Sequence, residues 1–352
     1  MTREQMTIVL SLFGAWSLVT ALGCDSINTV STSAEGPREY IWRADTLRHS
    51  PISSSQMESI WGTSRTNIYV AGWNDFQLQG EPLIYKFDGK SWQPVTMGAG
   101  IPGALEELTC IYGFGEDNIY VGGVRRTNQT RHSLLYHYDG IGWDEIDLVG
   151  GATLSVIWGR DQNDVWALGY EGTAFHFDGQ RWAMMSVDTL LSVTSLVGAS
   201  AIDLYALGTR RSPLPGGGSD YTLFLRFNGI SFTGIDSVQS YFLFPHFGDA
   251  MLGYVGKNLY SIGSGIFRYH DGIWIKDLDV TNGTLLSLVS TSGTNAIVVG
   301  QNAQAVHYDG STWVRIQPTQ KDGWEFKAVW TDGHVAAIVG NRDGKSVVFW
   351  GE

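Results

Sequence analysis

The side chains best suited to chemistry are arginines in two short stretches. Arg125, Arg126, Arg131 and His132 fall within 123–133 (GVRRTNQTRHS), and Arg210 and Arg211 within 209–220 (TRRSPLPGGGSD). A guanidinium presents a planar fork of donors that matches a carboxylate, so these stretches together would make an anion-binding surface. A third polar insertion, 73–82, opens on Trp73. These residues form the candidate binding set, for an acidic glycan or the carboxylates of an envelope protein. Glycoside hydrolysis is the alternative chemistry. It needs two carboxylates about 5–9 Å apart. Glu106, Glu107, Asp144, Glu145, Asp236 and Glu325 fall in expected loops, but no pair stands out, so no catalytic residue is assigned.

His137, His176 and His307 each precede an aromatic residue in a recurring phrase, where other copies carry Lys86, Arg226 or Arg268. Equivalent positions on separate units cannot share one metal, so these histidines are expected to bond locally. The chain has no calcium loop, no HExxH, no nucleophile elbow and no phosphate loop. Nothing calls for a metal or a cofactor. With 23 basic and 35 acidic residues the net charge is −12, which repels phosphates and excludes nucleic acid as a partner. A monomer is expected.

The elements that must position these residues are repeats. An aromatic, an Asp-Gly and a second aromatic recur as Phe87-Asp88-Gly89 to Trp92, Tyr138-Asp139-Gly140 to Trp143, Phe177-Asp178-Gly179 to Trp182, Phe227-Asn228-Gly229 to Phe232, Tyr269 to Trp274, and Tyr308-Asp309-Gly310 to Trp313. Spacings near 44 residues belong to propeller blades. A second phrase precedes each copy, as in Ser59-Ile60-Trp61-Gly62 followed by Asn67-Ile68-Tyr69-Val70. Each unit therefore holds four short β runs. The Asp-Gly pairs mark hairpins with φ > 0 at both turn positions. Cys110 takes the place of Ser59 in its repeat and reads as a small core residue.

The seventh unit lacks its fourth run, and Tyr40 to Ala44 supplies one, with Trp42 lying 50 residues before Trp92. The expected fold is all-β: a seven-bladed propeller of four-stranded antiparallel blades, closed by the N-terminal strand pairing with the last blade. A six-bladed ring with a spare segment is the alternative. In such a blade the connections after the second and fourth strands emerge on one face. The long insertions are all of this kind, so the arginines should share that face.

Residues 1–23 read as a signal peptide, with an apolar run over 7–22 too short for a membrane span. Residues 24–38 read as a flexible tether, and 39–352 as one domain. Ala21-Leu22-Gly23-Cys24 resembles the bacterial lipobox, which implies lipidation of Cys24, a membrane anchor and a cell-envelope location facing the periplasm or exterior. A free thiol after ordinary cleavage, or an uncleaved anchor, are the alternatives. The Asp-Gly-x-x-Trp turns resemble the Asp-box (BNR) repeats of sialidase-like, sortilin-like and photosystem II assembly factor-like propellers. The unit as a whole is similar to repeats of bacterial lipoprotein propellers. That resemblance implies a non-catalytic binding or assembly module, with a sialidase-like hydrolase as the alternative on the same fold.

Overall fold

The computed structural model describes residues 39–47, 55–74, 83–97, 104–127, 130–200, 203–212, 220–240, 245–280 and 282–352. The chain divides into two units, Met1–Ser33 and Ala34–Glu352, and every described residue belongs to the second. The signal-peptide and tether segments, Cys24 included, lie outside the described residues, as do 75–82 of the insertion that opens on Trp73, 128–129 of the stretch 123–133 and 213–219 of the stretch 209–220.

Among the described residues there is no helix, and the strands form seven four-stranded antiparallel sheets. Six are consecutive in sequence: blade 1 over 55–95, then 105–145, 154–184, 191–239, 251–279 and 285–315. Blade 7 joins the three strands of 325–351 to Trp42–Leu47, in register from Trp42↔Gly351 to Leu47↔Ser346. Ile41 and Glu352 extend this ladder by two further backbone bonds. The first strand of each sheet touches the first strand of the next, and the seventh touches the first, so these strands are the innermost ring.

Alternation dictates the packing. Both sheet faces meet a neighbouring blade, so second strands such as Asn67–Asn74 (NIYVAGWN) are almost wholly buried and rich in β-branched and aromatic residues. Each seam holds its own apolar cluster. Between blades 1 and 2, Tyr69 and Ile84 meet Leu108, Val121 and Leu134. Between blades 7 and 1, Met57 and Ile60 meet Leu47, Trp330 and Trp350.

The Ser-Ile-Trp-Gly phrase is the joint between inner strands. The Ser59 hydroxyl accepts the Ile111 N–H at 3.2 Å, Ser195 accepts Leu252 N–H at 2.9 Å, and Ser287 accepts Val329 N–H at 3.3 Å. Two residues on, Tyr112 donates to the Gly159 carbonyl at 2.9 Å and Trp330 to the Gly62 carbonyl at 2.8 Å. The glycine is needed because the aromatic of the preceding blade lies across it. A Cβ on Gly113 would stand 2.6 Å from the Trp61 ring.

The hairpins between third and fourth strands define one face of the ring, the hairpin face. Connections after second and fourth strands define the other, the loop face. The Asp-Gly hairpins differ from the sequence expectation. In blades 1 to 4 and 6 only the glycine has positive φ. The preceding side chain makes the turn: Asp88 Oδ1 accepts the N–H groups of Lys90 and Ser91 at 2.8 and 2.9 Å, and Asp139, Asp178, Asn228 and Asp309 do the same. Among the described Asp-Gly pairs, both residues are left-handed only at Asp271-Gly272 of blade 5 and at Asp343-Gly344, which joins the second and third strands of blade 7 on the loop face. There the pair is flanked directly by ladder partners, His270↔Ile273 and Arg342↔Lys345, so the turn has two residues and not four.

Candidate functional site

The loop face over blades 2 to 4 carries the arginines. The stretch 123–133 is mostly strand. Asn118–Arg126 and Arg131–Tyr138 pair as far as Arg126↔Arg131, and Arg125 sits opposite His132. The polar residues that read as loop extend the sheet because their charges are met within it.

Arg125 shows how. It is only 6% exposed. Its Nε donates to Glu106 Oε1 at 2.7 Å, its two terminal nitrogens donate to the two oxygens of Glu145 at 2.7 Å each, and one also reaches the Tyr136 hydroxyl at 3.0 Å. These residues come from the first, second, third and fourth strands of blade 2, so one guanidinium crosses the whole sheet. The Glu145 fork raises the Arg125 pKa further, against the effect of burial, with Glu106 adding to it.

The other cations are paired nearer the surface. Arg126 bonds to Glu107. Arg131 meets Glu171 at 3.5 Å, linking blades 2 and 3. Arg210 meets Asp188 at 2.7 Å, linking blade 4 to the connection that precedes it. Backbone bonding from Leu190, with Arg210 beside it, holds the Asp188 carboxyl below its ordinary range. His132 bonds to the Thr130 hydroxyl at 3.0 Å. Arg211 is exposed, and among the described residues it has no carboxylate partner. Trp73, half-buried at the end of its strand, bonds to Glu58. Glu58 and Glu325 flank Lys327 at 3.4 and 3.1 Å, where blade 7 meets blade 1.

Apolar side chains are interleaved with these pairs. Leu105 opens the first strand of blade 2, and Val149, 84% exposed, lies in the connection from blade 2 to blade 3. Tyr170 lies in the turn of blade 3 beside Glu171, and Tyr221 pairs with Arg210 in blade 4. Sequence reasoning missed them because a single exposed apolar residue leaves no pattern. Beside Tyr221, a pocket of about 220 Å³ is lined by Thr209, Asp220, Thr222 and Asp249 among others. Burial raises the Asp249 carboxyl.

The carboxylates considered for hydrolysis are largely engaged. Glu106 and Glu145 hold Arg125, Glu107 holds Arg126, Glu325 holds Lys327, and Asp236 meets His246 at 2.9 Å. Tyr136 faces Glu106 and Arg125, residue types that could serve a tyrosine nucleophile. Burial instead raises its hydroxyl pKa, with Glu106 adding to the shift, which is the reverse of activation. The histidines bond across strands to the residue that opens each second strand: His137 to Asn118 at 3.0 Å, His176 to Asp164 at 2.7 Å, and His307 to Asn295 at 3.0 Å. Burial lowers the pKa of His137.

No protein-family model matches the sequence, and no curated protein matches it either. Solved structures are similar in fold. A YCF48 with a D1 peptide bound superposes at a TM-score of 0.60 with 12% identity, over 88% of this chain and 94% of that one. YCF48 from Cyanidioschyzon merolae gives 0.59 and 13%, over 88% and 98%. The WD40 β-propeller domain of Doa1 gives 0.58 and 10%, over 88% and 96%. At such identities the likeness is one of fold.

Proposed function

We propose that the chain is a non-catalytic binding or assembly module of the cell envelope, anchored through a lipid on Cys24. It docks a protein partner on the loop face over blades 2 to 4. The observation that carries this is the surface made by Leu105, Val149, Tyr170 and Tyr221 among arginines already balanced by carboxylates. Such a mixture suits a protein interface, where aromatic anchors supply most of the affinity and balanced charges fix the register. A bare cationic patch would suit a polyanion better. Arg211 is left to meet a partner's carboxylate. A YCF48 of similar fold, solved with a D1 peptide bound, supports this protein-binding reading.

The test uses the full lipidated chain as bait in detergent-solubilised envelope. Val149→Asp with Tyr170→Asp is expected to cut recovery of a specific partner about tenfold or more. Met184→Asp, on an exposed outer strand of blade 3, should leave recovery unchanged. Equal recovery by both variants would move the site off the loop face. Cys24→Ser is expected to abolish incorporation of a fatty-acid probe; undiminished labelling would remove the anchor.

A further inference from the structure

The hairpin face carries exposed isoleucines at four places around the ring. Ile141 and Ile230 are the hairpin tips of blades 2 and 4, Ile273 opens the fourth strand of blade 5 directly after its two-residue turn, and Ile41 stands where blade 7 would have its hairpin. They are 93, 82, 61 and 83% exposed. Isoleucine is a poor turn residue, because a β-branched side chain gains nothing in a solvated hairpin that small polar residues shape better. The corresponding tips of blades 1, 3 and 6 are Lys90, Gln180 and Ser311, while blade 5 turns through Asp271-Gly272, whose Asp271 carboxylate is exposed beside Ile273. The aspartates of the hairpins in blades 1, 3 and 6 precede the tips and turn back onto backbone N–H groups.

Three features decide what covers these tips. First, they surround the face, with no two neighbours more than two blades apart. A compact partner would touch one sector of the disk, and only a broad, flat surface reaches all four. Second, the hairpins are held rigid: the N–H of Ile141 and of Ile230 bonds to the Asx side chain two residues before it, at 2.8 and 2.9 Å. Little entropy is lost when such tips are inserted. Third, the N-terminal segment joins the ring on this face, at Ile41 beside Glu352. That segment contains the apolar run 7–22 and Cys24.

We infer that the hairpin face lies against a lipid bilayer, with Ile41, Ile141, Ile230 and Ile273 entering the headgroup and acyl boundary. The inference rests on the envelope reading of Cys24. The lipid supplies attachment, and the four tips set orientation, since stable peripheral binding takes more than one weak signal. The loop face is thereby directed away from the membrane.

The test reconstitutes the full chain into phosphatidylethanolamine–phosphatidylglycerol vesicles that contain a diazirine-bearing acyl lipid. Cross-linked peptides are mapped by mass spectrometry. The hairpin peptides holding Ile141, Ile230 and Ile273 are expected to carry lipid adducts roughly fivefold or more above peptides holding Val149 or Tyr170. The combined variant Ile41→Ser, Ile141→Ser, Ile230→Ser, Ile273→Ser should lose that excess while its melting temperature stays unchanged. Equal labelling of the two faces, labelling that favours the loop face, or an excess that survives the combined variant would each overturn docking. The same spectra report the mass of the peptide beginning at Cys24. An acylated Cys24 with no hairpin-face excess overturns docking and leaves the anchor standing. An unmodified Cys24 with that excess removes the anchor and supports docking by the tips alone.

Discussion

The two faces of the ring come from one repeat but obey different rules. On the hairpin face, five turns share one construction, an Asp or Asn oxygen accepting two backbone N–H groups. Gly89 is fixed there twice over, by φ of +91° and by a Cβ position 2.7 Å from the Thr66 side chain. Only the tip residue is free to change. On the loop face the turns differ more: blades 3 and 6 share a turn with two left-handed residues, Tyr170–Thr173 and Gln301–Gln304, whereas blade 2 extends its strands to Arg126 and Arg131. Where the backbone relies on a particular side chain the repeat stays uniform. Where strands end at different lengths, one blade can differ from the next and acquire a partner.

The sharpest way to break this comparison is to open the ring, because both faces presuppose closure. Deleting Trp42–Leu47 leaves the strand Lys345–Gly351 without its outer partner and removes Leu47 from the cluster with Met57 and Trp350. The expected result is loss of cooperative thermal unfolding together with aggregation through the bare edge. A truncated chain that melts like the intact one would refute closure by this strand.

A smaller effect separates the two kinds of arginine on the loop face. Arg125→Ala strands the Glu106 and Glu145 carboxylates and is expected to cost about 3–5 kcal/mol in denaturant unfolding. Arg211→Ala is expected to stay within about 0.5 kcal/mol, because its side chain lies on the surface. Equal costs would mean that Arg125 is no more structural than its neighbours.

The smallest effect lies in one hairpin. Backbone bonding from Thr312, with the Ser311 hydroxyl, lowers the Asp309 carboxyl to about 2 from 3.8. The folded value is below the unfolded one, so this contribution is complete above 3.8 and is lost as pH falls through 3.8 toward about 2. Asp309→Ala should lower the melting temperature by a few degrees near neutrality and flatten the acid limb of stability against pH. Asp309→Asn should keep the turn, as Asn228 does in blade 4, while losing the pH dependence. A melting temperature that Asp309→Ala leaves unmoved would show that glycine alone makes the hairpin.

Much of the architecture was legible in the sequence. The aromatic pairs and the phrase of Ser59 to Gly62 mark blades because neighbouring sheets must pack aromatics at the same place in each seam. Trp42, 50 residues before Trp92, marked the closing strand for the same reason. The state of the arginines was less legible. Arg125 and Arg126 stand 19 residues from Glu106 and Glu107, and only a hairpin register that places Glu106 opposite Arg125 turns that separation into contact. The turn chemistry was half legible, since Asp-Gly announces a hairpin but not whether the Asp contributes its φ or its carboxylate.

The sequence alone determined that this is a ring of repeated four-stranded units closed by its own N-terminal strand, because alternation, turn residues and spacing are local and recur from unit to unit. Only the tertiary structure decided which charges remain available and which apolar residues share a face. Those depend on side chains brought together from different strands and blades, and no local pattern records such distances.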